Sequence, residues 1–595
     1  MDLEFNYWTE NTEMAENFFQ RHEIRVLKKK LQQLKKIDCV VFCSFESRFA
    51  KSGGLAAVTT KILPYLREVK HIPNVILMTP FYPNIMKQTE LSSKQSVTVP
   101  FANEQIEVKI FEYSYTYAIP SKGLIKEYYL KADPFFGAKN RLNDPYVYHP
   151  DSRRRNNLAL QKNSLFFCKS VPFALKKLGI HKNMIFHLQD WQTILIALTS
   201  KIAMIDGTLE SCGSVYTMHN PFDSGWLQLD SLAEILDEDR QYKMRQKAKN
   251  DLTALKVGVQ LVDTSVTTVS DNFAMELKED ILHTRHFIPH LQEIMNAGHI
   301  RGVNNGMFVN FPDEFSEFQN LGKSKKVTPN TIRELKRIKL EKRLELLKVL
   351  DEYQPPERFG PLTYKGGPLT TGTQSGVKAR LPENVPIILM SGRLDLNQKG
   401  FDILLQALQR FNEDEIKAVF TPMPIRASDL DYFHKMINQK SNGNITVFPI
   451  RMEKGFKELQ IGSTFGIMPS IYEPFGAAIE YMVNGTLVIA RKTGGLVDQI
   501  DDEVNGFLFE ESKNNYNLVN IENFVNASAN VASREKNPWC QDLVDSLYES
   551  MRRAMELYQK DNNRYYEMAA NGLIKAGRFS WQISSKKYYN IYQGK

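Results

Sequence analysis

Short apolar runs, each closed by a glycine- or proline-bearing turn and followed by an amphipathic stretch, recur along the chain and predict strands alternating with helices. The pattern is sharpest between Ser463 and Phe509. There Phe465–Met468 and Leu487–Ala490 are apolar runs of strand length, Ala477–Val483 has helical composition and ends at Asn484-Gly485, and Thr493-Gly494-Gly495-Leu496 opens a further helix. Two buried strands joined through a helix make a βαβ unit, which implies a parallel sheet. The same reading predicts strands at Cys39–Phe45, Val75–Thr79, Met184–Leu188, Val215–His219 and Val262–Ser270, with a meander at Ile106–Phe111 and Glu127–Leu130. Helices are expected from the Lys51–Leu55 loop to about Leu66 and over Asn157–Leu178. Further strands fall at Pro386–Met390 and Ala418–Phe420. The fold class is therefore α/β.

The amino-terminal stretch has a different pattern. Ile24, Leu27, Leu31 and Leu34 recur at spacings of three and four among Lys28, Lys29, Lys30, Lys35 and Lys36, so residues 1–37 read as an added amphipathic helical arm. It packs on its own domain or, less simply, takes a partner or a membrane surface, and its removal is expected to leave a folded protein. Residues 38–315 form the first α/β domain. Residues 316–385 combine charged helices, read as solvated faces, with a Pro-, Gly- and Thr-rich insertion; 386–575 form the second α/β domain, and 576–595 a terminal helix.

Bulk numbers narrow the classes. A chain of 595 residues exceeds one hydrophobic core. Lys plus Arg number 76 against 68 for Asp plus Glu, and an excess of +8 spread over that length does not argue for nucleic acid. No apolar run reaches membrane-spanning length, and the start MDLEFNYWTENTEMAENFF has neither a basic region nor an apolar core, so a cytoplasmic protein is expected. Five cysteines without metal-ligand spacing read as reduced core fillers. Asp429-Leu430-Asp431 is an isolated acidic pair in a polar stretch and is read as a surface feature; no metal cofactor is expected.

The candidate chemistry sits where predicted strands end. Glu473-Pro474-Phe475-Gly476 follows one strand and Thr493-Gly494-Gly495 the next. A carboxylate that binds hydroxyls then faces a helix start whose N–H groups bind phosphate, unless the acid is a solvated cap and the glycines an ordinary turn. Lys51-Ser52-Gly53-Gly54-Leu55 repeats the glycine-rich helix start after the first strand, with a cation beside it. Arg393 and Lys399, in Gly392-Arg393-Leu394-Asp395-Leu396-Asn397-Gln398-Lys399-Gly400, are two cations able to flank a leaving diphosphate. Asp190 follows Met184–Leu188, and His219 ends the next strand, where a lone histidine is by itself as well explained by packing.

Taken together, Lys-Ser-Gly-Gly-Leu at 51–55, Asp190-Trp191, Thr217-Met218-His219-Asn220, Gly302-Val303-Asn304-Asn305-Gly306, Arg393…Lys399-Gly400, Glu473-Pro474-Phe475-Gly476 and Thr493-Gly494-Gly495-Leu496 resemble the starch and glycogen synthase family of glycosyltransferases. The resemblance covers roughly residues 38–590 apart from the insertion. It implies a GT-B fold, with two Rossmann-like domains facing across a cleft, and retaining transfer of glucose from a nucleotide-diphosphate sugar, expected to be ADP-glucose, to the non-reducing end of an α-1,4-glucan primer. It implies catalytic roles for His219, Asp190, Arg393, Lys399 and Glu473. Nucleotide-sugar contacts are implied for Lys51, Gly53, Gly54, Asn305, Arg451, Thr493, Gly494, Gly495 and Leu496. Four positions depart from the family pattern: Ala57 stands where an Asp is usual, Gln189 where a His is commonest, Thr421–Pro424 where a glycine-rich turn is usual, and Arg451 where an aromatic residue is frequent. These leave two alternatives open, a related enzyme using UDP-glucose or another acceptor, and a non-catalytic glucan-binding relative.

Overall fold

The computed structural model describes residues 7–69, 72–83, 91–118, 121–133, 135–137, 147, 158–221, 229–247, 252–296, 300–320, 327–352, 369–370, 385–412, 414–423, 445–447, 455–527 and 530–595. The chain divides into two compact units, Met1–Phe308 with Ser580–Lys595, and Val309–Phe579. Among the described residues no helix is long and apolar enough to cross a membrane.

The first unit is built on β1 (Cys39–Cys43), β2 (Asn74–Pro80), β3 (Ser92–Phe101), β4 (Glu104–Tyr117), β5 (Gly123–Lys131), β6 (Met184–Gln189), β7 (Cys212–Met218), β8 (Val266–Thr268) and β9 (Ile300–Gly302). Their order is β3-β4-β5-β2-β1-β6-β7-β8-β9. From β5 to β9 every neighbouring pair is parallel, and β3 and β4 close the edge as an antiparallel meander. The runs CVVFC and CGSVYTM are buried at every position, as strands covered on both faces must be. Val262–Ser270 supplies only the three residues of β8, and β3, whose polar composition hides its alternation, was not expected from the sequence.

The amino-terminal stretch packs on its own domain, the first of the two readings its spacing allowed. The stripe Ile24, Leu27, Leu31 and Leu34 is buried as its spacing required, but Trp8, Met14, Phe18 and Phe19 join the same hydrophobic core as β1 and β6. Trp8 Nε1 donates to Asp263 Oδ1 at 2.5 Å, Lys201 Nζ donates to the same oxygen at 2.9 Å, and Ser214 Oγ donates to Oδ2 at 2.6 Å. Asp263 and Lys201 are both fully buried, so Trp8 completes the shell of an internal ion pair.

The second unit contains β10 (Leu369–Thr370), β11 (Ile387–Arg393), β12 (Lys417–Met423), β13 (Ile445–Val447), β14 (Phe465–Met468), β15 (Leu487–Arg491) and β16 (Gly506–Phe509), ordered β10-β13-β12-β11-β14-β15-β16. All neighbours are parallel except the β10–β13 edge. Two expectations are corrected here. The charged helix Pro329–Glu352 is no solvated linker, because Leu335, Ile338 and Leu346 are buried and Lys339 donates to Ile461 O, Ser463 O and Thr486 Oγ1 at 2.6, 2.9 and 3.0 Å. Its charged composition conceals a buried face whose one lysine is fully used by backbone and hydroxyl oxygens. Thr421-Pro422-Met423 is no turn either. It extends β12, pairing with Ser391, Gly392 and Arg393. β13 reaches only Ala418–Phe420, so Pro422 lies where the strand has one neighbour and a missing N–H is tolerated; Pro424 is outside the described residues.

The terminal helix Trp581–Tyr592 belongs to the first unit. Tyr592 Oη bonds His187 Nδ1 at 2.8 Å, Trp581 Nε1 donates to Met307 O at 2.8 Å, and Ser584 Oγ donates to Asn304 O at 2.6 Å. The first unit's main run ends at Phe308 rather than 315. Phe315 packs beside Gly485 and so belongs to the second unit.

Candidate functional site

Along its parallel strands each sheet reverses its strand order between β1 and β6 in the first unit and between β11 and β14 in the second. The chain leaves the two strands of such a pair in opposite directions, which opens a crevice at their carboxyl ends. The sequence-derived candidates gather at these two places.

In the first unit Asp190 follows β6 directly. Its backbone has φ of +56°, a region that costs a non-glycine residue on the order of 1 kcal/mol. The strained turn aims the carboxylate at the end of β7, where Oδ1 accepts from His219 N at 2.7 Å and Asn220 N at 3.2 Å. His219 Nε2 bonds Gln189 Oε1 at 2.6 Å. Burial pushes the Asp190 carboxyl up to about 7, with Glu46 adding to it and the two N–H bonds opposing, and burial pushes the His219 imidazole down to about 3. Asn305 follows β9, three strands along from β6 at the same end of the sheet, with its N–H on Val269 O.

The Lys51 loop corrects an expectation. Three of its amides do not stand open for an anion, because the buried Glu46 carboxylate accepts from Ser52 N at 3.0 Å, Gly53 N at 2.8 Å and Ala56 N at 3.2 Å through one oxygen. The chain supplies its own anion to this helix start. What the loop presents outward is the Lys51 side chain, which is exposed, together with Gly54. Sequence reading did not single out Glu46, which holds this candidate loop in place; its position one strand-end before a glycine-rich helix start is the signal that was available.

In the second unit Lys399 Nζ meets Glu473 Oε2 at 2.5 Å, and Ser470 Oγ donates to the same oxygen at 3.1 Å. Glu473 is only 6% exposed. Arg393 Nη2 donates to Gln398 Oε1 at 2.9 Å. Thr493-Gly494-Gly495 again differs from expectation. Gly495 N donates to Glu473 O at 2.9 Å and Thr493 N to Arg491 O at 2.9 Å, so these amides hold the neighbouring turn and are not available to a phosphate. A Cβ on Gly494 would stand 1.9 Å from Glu473 O, and one on Gly495 2.2 Å from Phe475 O. The glycine pair is required for backbone contact with the Glu473 turn, and it fixes the height of that carboxylate. Leu496, grouped with the binding residues, is fully buried and packs on Gly476. Arg451 lies outside the described residues.

A second missed residue supports the cation turn from behind. Arg534 is fully buried and donates to Asp402 Oδ2 at 2.7 Å, Asn397 Oδ1 at 2.6 Å and Leu396 O at 3.0 Å. It therefore clamps the backbone between Arg393 and Lys399, across more than a hundred residues of sequence that carry no hint of it.

Comparison with known proteins bears directly on these strand ends. The starch synthase catalytic domain matches residues 39–288, and the group 1 glycosyl transferases match residues 374–526. The glycogen synthase of Lactococcus lactis is 27% identical over 584 residues, covering 93% of this chain and 99% of its own length. The chain belongs to the starch and glycogen synthase family of glycosyltransferases. A glycogen synthase from Geotalea uraniireducens is 24% identical, with 92% of this chain and 96% of its own length covered. The catalytic domain of starch synthase IV from Arabidopsis thaliana, solved with ADP and acarbose, superposes with a TM-score of 0.65 at 19% identity, covering 94% of this chain and 99% of that one. The family fold is therefore the two-domain GT-B fold, and the enzyme is a glycosyltransferase.

The shifted Asp190 makes a stability prediction for this family member. A carboxyl whose pKa is higher in the folded chain contributes stability that is complete below about pH 4 and is lost as pH rises through about 7. Asp190→Asn keeps an oxygen for His219 N and Asn220 N and cannot ionise. Relative to the natural protein its Tm should climb between pH 4 and pH 8, by an equivalent on the order of 4 kcal/mol, while its activity falls. A Tm difference that stays flat over that range contradicts the raised pKa.

Proposed function

We propose that the enzyme transfers glucose with retention of configuration from ADP-glucose to the non-reducing end of an α-1,4-glucan. The observation that carries this reading is the Lys399–Glu473 pair, with Arg393 on the same turn system, at the strand-order reversal of the second unit. The glycosidic bond to the diphosphate breaks through an oxocarbenium-like state, and negative charge grows on the leaving diphosphate. Two fixed cations oppose that charge where it develops, while the carboxylate of Glu473 accepts hydrogen bonds from hydroxyls of the glucosyl group being transferred. Asp190, His219 and Asn305 shape the sugar side, and the exposed Lys51 adds a positive charge for the nucleotide sugar.

The full-length relatives named glycogen synthase support the acceptor, and the Lys-Ser-Gly-Gly-Leu and Thr-Gly-Gly-Leu loops support the adenine nucleotide donor. Side chains carry the charge of the leaving group, so the reaction proceeds without a divalent cation. Five free, buried cysteines suit a reducing cytosol, and no nucleic acid takes part. The test is turnover with ADP-glucose and UDP-glucose on glycogen, with and without EDTA. The expected result is at least about tenfold higher kcat/KM for ADP-glucose, a difference of about 1.4 kcal/mol in transition-state binding, unchanged by chelator. A clear preference for UDP-glucose, or loss of activity in EDTA restored by a metal, overturns the corresponding half of the proposal.

A further inference from the structure

We infer that Gln189 is a positioning residue of this enzyme: its side-chain carbonyl holds the His219 ring with the proton on Nε2, so that Nδ1 is presented to a sugar hydroxyl as a hydrogen-bond acceptor. The inference deepens the proposed function, since it assigns the sugar side of the site the hydrogen-bonding character it offers.

Gln189 is the last residue of β6 and pairs in register with Thr217 of β7, which places its head beside His219, the residue after that strand. Oε1 lies 2.6 Å from His219 Nε2. A carbonyl oxygen only accepts, so the ring nitrogen facing it carries the hydrogen, and in a neutral imidazole the other nitrogen is then a lone-pair acceptor. The backbone of His219 is fixed from the opposite side by the 2.7 Å bond from its N–H to Asp190 Oδ1, so the ring is held at both ends. Among the described residues nothing bonds Nδ1, and the residue is only partly buried.

The other half of the Gln189 amide makes no bond of its own: its Nε2 is buried and has no partner among the described residues, and an orphaned amide donor costs on the order of 1–3 kcal/mol. A purely packing role at a position 1% exposed would be filled better by leucine or methionine. The groups facing the pair favour a neutral ring. His187, two residues back on β6, is uncharged in its own buried bonds to Thr217 Oγ1 and Tyr592 Oη. The acid Asp190 lies toward the backbone of His219 and spends its Oδ1 on N–H groups, and Glu46 spends a carboxylate oxygen on the Lys51 loop. Gln189 thus gives His219 a hydrogen-bond partner without giving it a countercharge.

The test uses the full chain, the variants Gln189→Leu and Gln189→Glu, and protein labelled with 15N-histidine, with His219→Gln identifying the signal. In the natural protein the His219 nitrogen shifts should report a neutral Nε2–H ring that does not titrate between pH 8 and pH 5. Gln189→Leu should mix the two tautomers and lower kcat/KM for the glucan acceptor by about tenfold or more, with the KM for the nucleotide sugar within about twofold. Gln189→Glu, nearly isosteric, introduces a carboxylate that favours the imidazolium, whose Nδ1 donates. Its activity relative to the natural protein should therefore fall as pH is lowered from 8.5 to 6, and the ratio removes any pH dependence from Asp190. An Nδ1–H ring in the natural protein overturns the inference, as does natural acceptor kinetics in Gln189→Leu or a pH-independent ratio for Gln189→Glu. If Gln189→Leu does not fold, the tautomer and the Gln189→Glu profile still decide it. If the natural protein transfers no glucose to glucan, the proposed function fails, and the nitrogen shifts still answer for Gln189.

Discussion

Replacing Lys399 or Arg393 by alanine should lower kcat by about 10²-fold or more, with the protein still folded. Each cation acts on charge that exists fully only as the diphosphate departs, and removing one such group from a preorganised site costs about 2.7–4 kcal/mol of transition-state stabilisation. Glu473→Gln should be comparably harmful. The 2.5 Å contact between Lys399 and Glu473 adds a way to separate catalysis from architecture. If the pair served folding alone, the double variant Lys399→Met with Glu473→Gln would recover both stability and activity, since neither member leaves the other unpaired. The expected outcome is split: the double variant recovers most of the lost Tm and none of the lost rate. Recovery of the rate to within about threefold of the natural protein would place the chemistry elsewhere.

Deletion of residues 1–35 should abolish folding of the first unit. Trp8, Phe18, Phe19, Leu27 and Leu31 are buried to 2% exposure or less. At about 1.5–3 kcal/mol for each large apolar side chain, their removal costs about 7–15 kcal/mol, as much as the whole stability of an ordinary domain. The deletion also strips the Trp8 N–H from the buried Lys201–Asp263 pair. Insoluble protein, or a soluble species that binds hydrophobic dyes and melts without cooperativity, is the expected result. A soluble truncation with a cooperative transition near that of the full chain would show instead that these side chains cover a finished core. The milder Trp8→Phe keeps most of the buried area and loses the donor to Asp263, and should cost about 1–3 kcal/mol.

Much of the site was legible because its chemistry sits at strand ends, and strand ends announce themselves through apolar runs followed by glycine. Asp190, His219, Arg393, Lys399 and Glu473 were all singled out this way, and the structure places each of them beside one of the two strand-order reversals or on the strand next to it. Amide direction was not legible. Gly53 and Gly495 read the same whether their N–H groups await a phosphate or are already held by Glu46 Oε2 and Glu473 O. Only the folded chain distinguishes the two. Burial partners were equally hidden. The stripe from Ile24 to Leu34 has one spacing for an arm and for a core helix, and the charged helix Pro329–Glu352 reads as solvated until Lys339 is seen among backbone oxygens. Arg534 and Glu46 act on residues that their own neighbourhoods in sequence do not single out.

The central claim is that this enzyme extends the non-reducing ends of an α-1,4-glucan, keeping the configuration of the glucose it transfers. The direct measurement is incubation of the full chain with ADP-[14C]glucose and glycogen, followed by digestion of the washed polymer with β-amylase. Label entering the polymer and released as maltose is the predicted result, because that enzyme cuts α-1,4 linkages from the non-reducing end. Label that stays out of the polymer, appears as free glucose, or remains in a form that β-amylase does not release would contradict the claim.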